Sequence, residues 1–240
     1  PFKVPKNQVM DAFKKFSKKP LTPKDFSCDK VVDKMQGVYI PFWLYSGNCE
    51  GSITAEGINT RTWTSGNYRY TEKKYYSVYR NGTLDFKAVP VDASSKTDDD
   101  AMDSIEPFDY SEMTAFNPGY LSGYLAERYD EDKDKCLPRA KERIENTTRD
   151  ELRNTCNYNS VNVQSYEKHT EIKDVKYAML PTWLLYTTYQ DKPYFFAMNG
   201  QTGKFIGNLP ISKGKLVAYS LLGGVGGYII GAILQIMGIF

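Results

Sequence analysis

His169 is the only histidine in 240 residues, so any Ser–His–Asp or Cys–His mechanism would have to use it. No nucleophile motif flanks it, and the GxSxG elbow, the HExxH zinc helix and the Walker A phosphate loop are all missing. Gly200-Gln-Thr-Gly203-Lys204 ends like a phosphate loop, but the earlier glycine is lacking and Phe205 stands where Ser or Thr would hold magnesium. It also joins two expected strands, whereas a phosphate loop opens a helix whose first amides hold the anion. Asn199-Gly200 with Gly203 therefore reads as a turn. Carboxylates are dense at 98–112 and 130–134, but both runs read as solvent-facing, where burial does not tune a carboxyl for acid–base work. Asp98–Asp100 with Asp103 lack the spacing of a calcium-binding EF-hand. Cys28, Cys49, Cys136 and Cys156 lie far apart with no CxxC pair, so they signal neither zinc nor a redox dithiol and read as free, buried thiols. The residues point to a non-enzyme with no metal or cofactor of its own.

Two stretches carry binding chemistry instead. Tyr68, Tyr70, Tyr75, Tyr76 and Tyr79 interleave with Arg69, Lys73, Lys74 and Arg80. Aromatics beside cations on a sheet can stack bases and neutralise phosphate, although a half-buried Tyr-rich strand shows the same pattern. Residues 1–24 hold seven lysines and one aspartate. Within them Lys14, Lys15, Lys18 and Lys19 are candidates for contact with phosphate or lipid headgroups, set against the plainer reading of a solvated helix face. The whole chain carries 31 Lys+Arg against 29 Asp+Glu, so bulk charge does not mark a polyanion binder.

The elements that must position these groups are legible in outline. Mean hydropathy is −0.53, and 19 tyrosines among 14% aromatics favour strands. Val9, Phe13 and Phe16 share a face, which predicts a helix over 7–19 with Asn7 as N-cap and Pro20 as its stop. Antiparallel strands are expected at 39–45, 52–56, 60–71, 74–80 and 84–89, with Asn81-Gly82 as a two-residue hairpin. Residues 92–112 hold eight acids against one lysine and read as an acidic connector, a candidate electrostatic partner of the basic N-terminus. Helices are expected over 119–154, divided or kinked at Pro138. Strands resume at 160–168, 172–178 with 181–189, 194–198 and 204–207.

An internal echo links the halves. Pro41-Phe-Trp43-Leu44 matches Pro181-Thr-Trp183-Leu184 at a spacing of 140 residues. Pro41, Trp43, Pro181 and Trp183 therefore read as the anchors of a duplicated helix-plus-sheet unit, with halves at about 1–91 and 119–211 and the connector at about 92–118.

Leu216–Phe240 has no charged side chain. As a helix it would extend about 37 Å, enough for a hydrocarbon core of about 30 Å. Gly223, Gly227 and Gly231 would line one face of that transmembrane helix, over residues 215–240, and allow self-association or a transmembrane partner. Lys213 and Lys215 place the preceding soluble domain, 1–214, on the cytoplasmic side of a cell membrane by the positive-inside tendency. The chain starts at Pro1 rather than Met, so a preceding segment is expected.

The segments Pro1-Phe-Lys-Val-Pro-Lys, YIPFWLY near Gly37–Tyr45, AFNPGYLSGYLAERY at Ala115–Tyr129, LPTW at Leu180–Trp183, NGQTGKF and GNLP together resemble bacterial proteins with an N-terminal TFIIB-type zinc ribbon. The resemblance covers most of residues 1–215. It implies a membrane-anchored cytoplasmic protein whose zinc ribbon would precede this chain, so zinc is expected only there. The helicase-like label many of those proteins carry finds no nucleotide-phosphate loop here.

The sequence thus reads as an α+β chain of Tyr/Trp-rich antiparallel sheets, possessing a few helices and ending in a transmembrane helix. Its expected function is a non-enzymatic binding or adaptor module at the cytoplasmic face of a bacterial membrane, with a protein partner or a second copy. The alternative is a nucleic-acid-binding accessory protein that uses the basic N-terminus and the Tyr/Lys sheet.

Overall fold

The computed structural model describes residues 1–24, 26 and 34–236, with side chains described as far as Gly224. Its strands are β1 (Gln36–Ser65), β2 (Tyr68–Asp92), β3 (Leu125–Ala126), β4 (Ser160–Tyr189), β5 (Lys192–Asn199) and β6 (Phe205–Gly207). They form one sheet in the order β2-β1-β4-β5-β6, with the short β3 running parallel beside β1. Helices are α1 (Lys6–Ser17), α2 (Asp99–Ser104), α3 (Lys133–Asn154) and α4 (Lys213–Ile236). The chain divides into two compact units: Pro1–Tyr39 with Asp100–Ala126 and Leu180–Phe240, and Ile40–Asp99 with Glu127–Met179.

In the first unit α1 buries Val9, Phe13 and Ser17. That face packs on Trp183 and Leu185 of β4 and Phe196 and Met198 of β5. Phe13 meets Phe196 edge-on, at 5.3 Å between centroids and 86° between planes, a favoured aromatic geometry. The β4–β5 hairpin turns tightly at Gln190 and Asp191, both with positive φ, as a turn matched to strand twist requires. Trp183 Nε1 donates to the Val4 carbonyl at 3.0 Å, immediately ahead of the N-cap residue Pro5. Beneath it the Gly200 amide donates to the Pro181 carbonyl at 2.8 Å, and the Gly200 carbonyl accepts from the Lys3 and Val4 amides, both at 2.9 Å. A Cβ on Gly200 would meet the Phe2 ring at 2.6 Å, so this backbone approach needs glycine.

In the second unit α3 buries Ala140, Ile144, Thr148 and Leu152, and Leu152 packs with Ile53, Ala55 and Val78 of the sheet. A Cβ on Gly51 would lie 2.9 Å from Thr148 Cγ2, so the helix can settle only where the strand has no side chain. Trp43 Nε1 donates to the Glu131 carbonyl at 3.0 Å, immediately ahead of the N-cap Asp132, whose side chain accepts from the amides of Asp134 and Lys135. The Ala93 amide donates to the Pro41 carbonyl at 3.0 Å, and the Ala93 carbonyl accepts from the Asp130 and Glu131 amides at 3.1 and 3.2 Å. Tyr129 meets Trp43 edge-on at 5.6 Å and 67°, as Phe2 meets Trp183 at 5.3 Å and 68°. Each unit therefore closes with the same tie: strand proline, tryptophan two residues on, a turn residue, and the backbone just before a helix.

Several expectations change. Asn81-Gly82 is no hairpin: it lies inside β2 opposite Ser52 and Gly51. The turn sits instead at Gly66-Asn67, with Gly66 at φ +60°. Pro138 stays inside an unbroken α3, where it forfeits a single ladder bond near the N-terminus. Residues 119–132 hold a 3₁₀ turn and the short β3 rather than a helix. Among the described residues no helix is long and apolar enough to cross a membrane, which corrects both the transmembrane helix and the membrane location. Lys213 and Lys215 belong to α4 rather than preceding it. Lys215 Nζ donates to the Thr22 carbonyl at 2.6 Å, and the Ser212 amide to Leu21 at 2.9 Å. Both contacts hold the start of α4 within the first unit. Gly223 has nothing within 4 Å, and the side-chain faces of Gly227 and Gly231 lie outside the described residues.

Replacing Trp43 or Trp183 by Phe removes the indole donor and leaves a half-buried carbonyl short of a partner. Each variant is expected to lose about 2 kcal/mol, read as a lower midpoint in urea with an unchanged slope. A midpoint at the parent value would show that the tie does not hold the helix.

Candidate interaction surface

The hairpin between the tryptophan and the residue just ahead of the turn residue differs greatly between the units. Trp183 and Asn199 are 16 residues apart, Trp43 and Asp92 are 49 apart, yet the tie closes equally in both. The additional length of β1 and β2 is therefore not demanded by the tie. It pairs in register from Gly47↔Phe86 to Ser65↔Tyr68, with β4 on the other side of β1, and it ends in a ribbon whose every residue from Thr60 to Ser77 is exposed. Alternation puts Arg61, Trp63 and Tyr70 on the face that carries α3 further down, and Arg69, Lys73, Tyr75 and Tyr79 on the other.

At the ribbon's end Trp63 and Tyr70 are directly paired across the strands. Their rings stack at 5.6 Å and 15°, and the Arg61 guanidinium sits 5.7 Å from the Trp63 ring centre. Trp63 is 43% and Tyr70 46% exposed, so a large apolar surface faces solvent beside a cation. Residues 58–80 carry five Arg or Lys against Glu72 as the lone acid. Trp, Tyr and Arg are the residue types that dominate binding energy at protein interfaces. The sequence reading identified the tyrosines and lysines here but missed Trp63 and Arg61. Their two-residue spacing facing Tyr70 across Gly66 was the available signal.

The other candidate residues are not brought together into a site. Lys15, Lys18 and Lys19 are exposed and Lys14 is half-buried, with the Lys19 ammonium 4.7 Å above the Phe16 ring. The acidic connector meets the N-terminus through Lys3, which pairs with Glu112 at 2.8 Å. Pro41, Trp43, Pro181 and Trp183 are the tie residues described above. Asn199 accepts from the Gln201 and Thr202 amides at 2.8 and 3.0 Å, so the phosphate-loop look-alike is a side-chain-capped turn. His169 lines an open polar groove of about 420 Å³ with Glu50, Ser52, Tyr79, Asn81 and Glu167. Among the described residues no hydrogen bond joins His169 to Ser52 or to a carboxylate, and no group of His, Cys, Asp and Glu could hold a metal ion. Cys49, Cys136 and Cys156 are unpaired and buried, while Cys28 lies outside the described residues. Burial pushes the Cys136 thiol up to about 11, away from nucleophilic use.

Asp92 is the most perturbed carboxyl. It is 2% exposed, and its oxygens accept from the Ser94 amide at 3.1 Å and from the Thr97 hydroxyl. Burial pushes it up to about 6, with Asp99 adding to the rise and the two hydrogen bonds and Arg139 opposing it. The equivalent residue of the first unit is Asn199, which caps its turn without a charge.

No protein-family model matches this chain, so the zinc-ribbon resemblance gains no support and the zinc-ribbon and membrane-protein labels drawn from it are corrected. No solved structure matches it. The chain is similar to YdjG of Bacillus subtilis (strain 168), an uncharacterized protein, at 38% identity over 221 residues. That match covers 91% of this chain and 65% of the relative, so the chain spans less than two thirds of the relative's length.

Because the folded state keeps the Asp92 proton longer than the unfolded chain, stability falls as pH rises from about 4 to about 6. The loss amounts to as much as about 3 kcal/mol. Asp92→Asn is expected to abolish that loss and to be the more stable form at pH 7, as read by urea unfolding at pH 4 and pH 7. Equal stability of the two proteins at pH 7 would mean that Asp92 is ionised without penalty.

Proposed function

We propose that this chain is a non-enzymatic binding module that holds an anionic protein partner on the β1–β2 ribbon. One observation carries the reading: the second unit extends its hairpin far beyond what the shared tie requires, and places exposed Trp63, Tyr70 and Arg61 at the end. An exposed aromatic pair contributes nothing to a core, and its burial against a partner would release about 25 cal/mol for each Å² of apolar surface. Five cations on the ribbon select for acidic surfaces and disfavour contact between the ribbons of two copies.

A Trp63→Ala/Tyr70→Ala double variant tests this, since both side chains are exposed and their loss leaves the tie intact. Wild type and variant are immobilised and used to capture proteins from lysate, with and without nuclease. The expected result is a stoichiometric protein retained by wild type after nuclease and reduced at least tenfold on the variant. Retention that vanishes with nuclease, or nucleic-acid affinity falling steeply with salt, would favour the nucleic-acid alternative. Equal capture by both proteins would remove the ribbon from the argument.

A further inference from the structure

β2 ends the strand order, so along its 25 residues one edge has no strand partner among the described residues. In an antiparallel ladder both backbone groups of a residue point to the same side and alternate residues point to opposite sides. Two contacts show which residues point outward. The Arg80 guanidinium donates to the Tyr79 carbonyl at 2.9 Å, marking an odd-numbered position as unused by β1. Past the irregularity between Tyr45 and Gly47, where β2 gains a residue, the outward parity must flip to even. There Pro90, which has no amide hydrogen to offer β1, has its carbonyl taken by Arg143. Both observations agree, and they assign outward-pointing backbone groups to Arg69, Thr71, Lys73, Tyr75 and Ser77, below the point where Arg80 caps the edge.

We infer that this edge, from Arg69 to Ser77, receives an extended acidic segment of a partner protein as an added strand. The inference rests on the ribbon being the binding element and specifies how it binds. Main-chain hydrogen bonds of an added strand supply affinity, and alternate side chains supply selectivity. Here Arg69 and Lys73 lie on one face of the edge with Tyr75, so acids on that face of the incoming strand meet cations, while on the other face Lys74 already pairs with Glu72 at 3.7 Å. The same cations protect the edge against a second copy, because two such edges would place like charges side by side.

The probe is an acetylated, amidated peptide of five Glu-Thr repeats, titrated into the full chain at low salt and followed by amide hydrogen exchange and backbone NMR. Protection is expected at the amides of Thr71, Lys73, Tyr75 and Ser77 and not at their even-numbered neighbours. The same peptide N-methylated at alternate residues keeps its charge and is expected to give no protection. Ser77→Pro removes one outward amide at an edge position that tolerates proline, and is expected to weaken binding at least tenfold. If the peptide shifts Trp63 and Tyr70 without protecting the outward amides, strand addition is wrong while the ribbon remains the binding element. If wild type shows no binding at 1 mM peptide, or prefers oligothymidylate, strand addition is overturned. The capture comparison with the Trp63/Tyr70 variant then decides separately whether the ribbon binds protein at all.

Discussion

A tryptophan indole bonded to the backbone carbonyl just before a helix is the contact on which each unit depends. A buried indole must place its N–H on an acceptor, and the carbonyl ahead of an N-cap lies outside the helical ladder and is available for it. Once that bond is made, the start of the helix is fixed against the strand two residues past a proline. The helix then has little choice about which stripe it buries. Val9 and Phe13 in one unit, and Ile144 and Leu152 in the other, follow from that placement. Gly200 in one unit and Gly51 in the other mark where the backbone or helix comes too close for a Cβ.

The tie also separates what the fold needs from what it merely carries. The residue just ahead of the tie's turn residue is Asn199 in one unit and Asp92 in the other, and both accept from backbone amides of the turn that follows. A neutral amide performs the task, so the negative charge of Asp92 is a burden on the turn rather than its cause. The same comparison isolates the ribbon: a hairpin that reverses at Gln190-Asp191 satisfies the tie, and one three times as long between its anchors satisfies it equally.

The parts legible in the sequence were those with a short-range signature. The helix face at Val9, Phe13 and Phe16 and the Pro-x-Trp echo were visible because each is written within a few residues. Glycine misled at Asn81-Gly82: the pair looks like a hairpin turn, but it lies inside β2, paired with Ser52 and Gly51 of β1. Pro138 misled because a helix nucleated by the Asp132 cap and buried along its face can absorb one missing bond. The ribbon's aromatic end was half legible. Trp63 gains its meaning from Tyr70 across the turn, and the turn itself could be placed only after Asn81-Gly82 had been discounted. The C-terminal apolar run gave a clear signal in composition, whereas no described helix has the length and apolarity to cross a membrane.

Each unit is assembled from separate stretches of the chain, and this shapes the order in which it can form. The core around Val9 and Phe13 is completed by Trp183, Phe196 and Met198, so α1 waits for β4 and β5. During synthesis, at about 5–20 residues per second, the N-terminal segment spends roughly ten seconds or more with its aromatic face uncovered. The β1–β2 hairpin, whose contacts are local, can close in the meantime. A nascent chain would therefore display a finished ribbon before it has a finished fold, and a partner present in the cell could meet the protein while its first helix is still unsheltered.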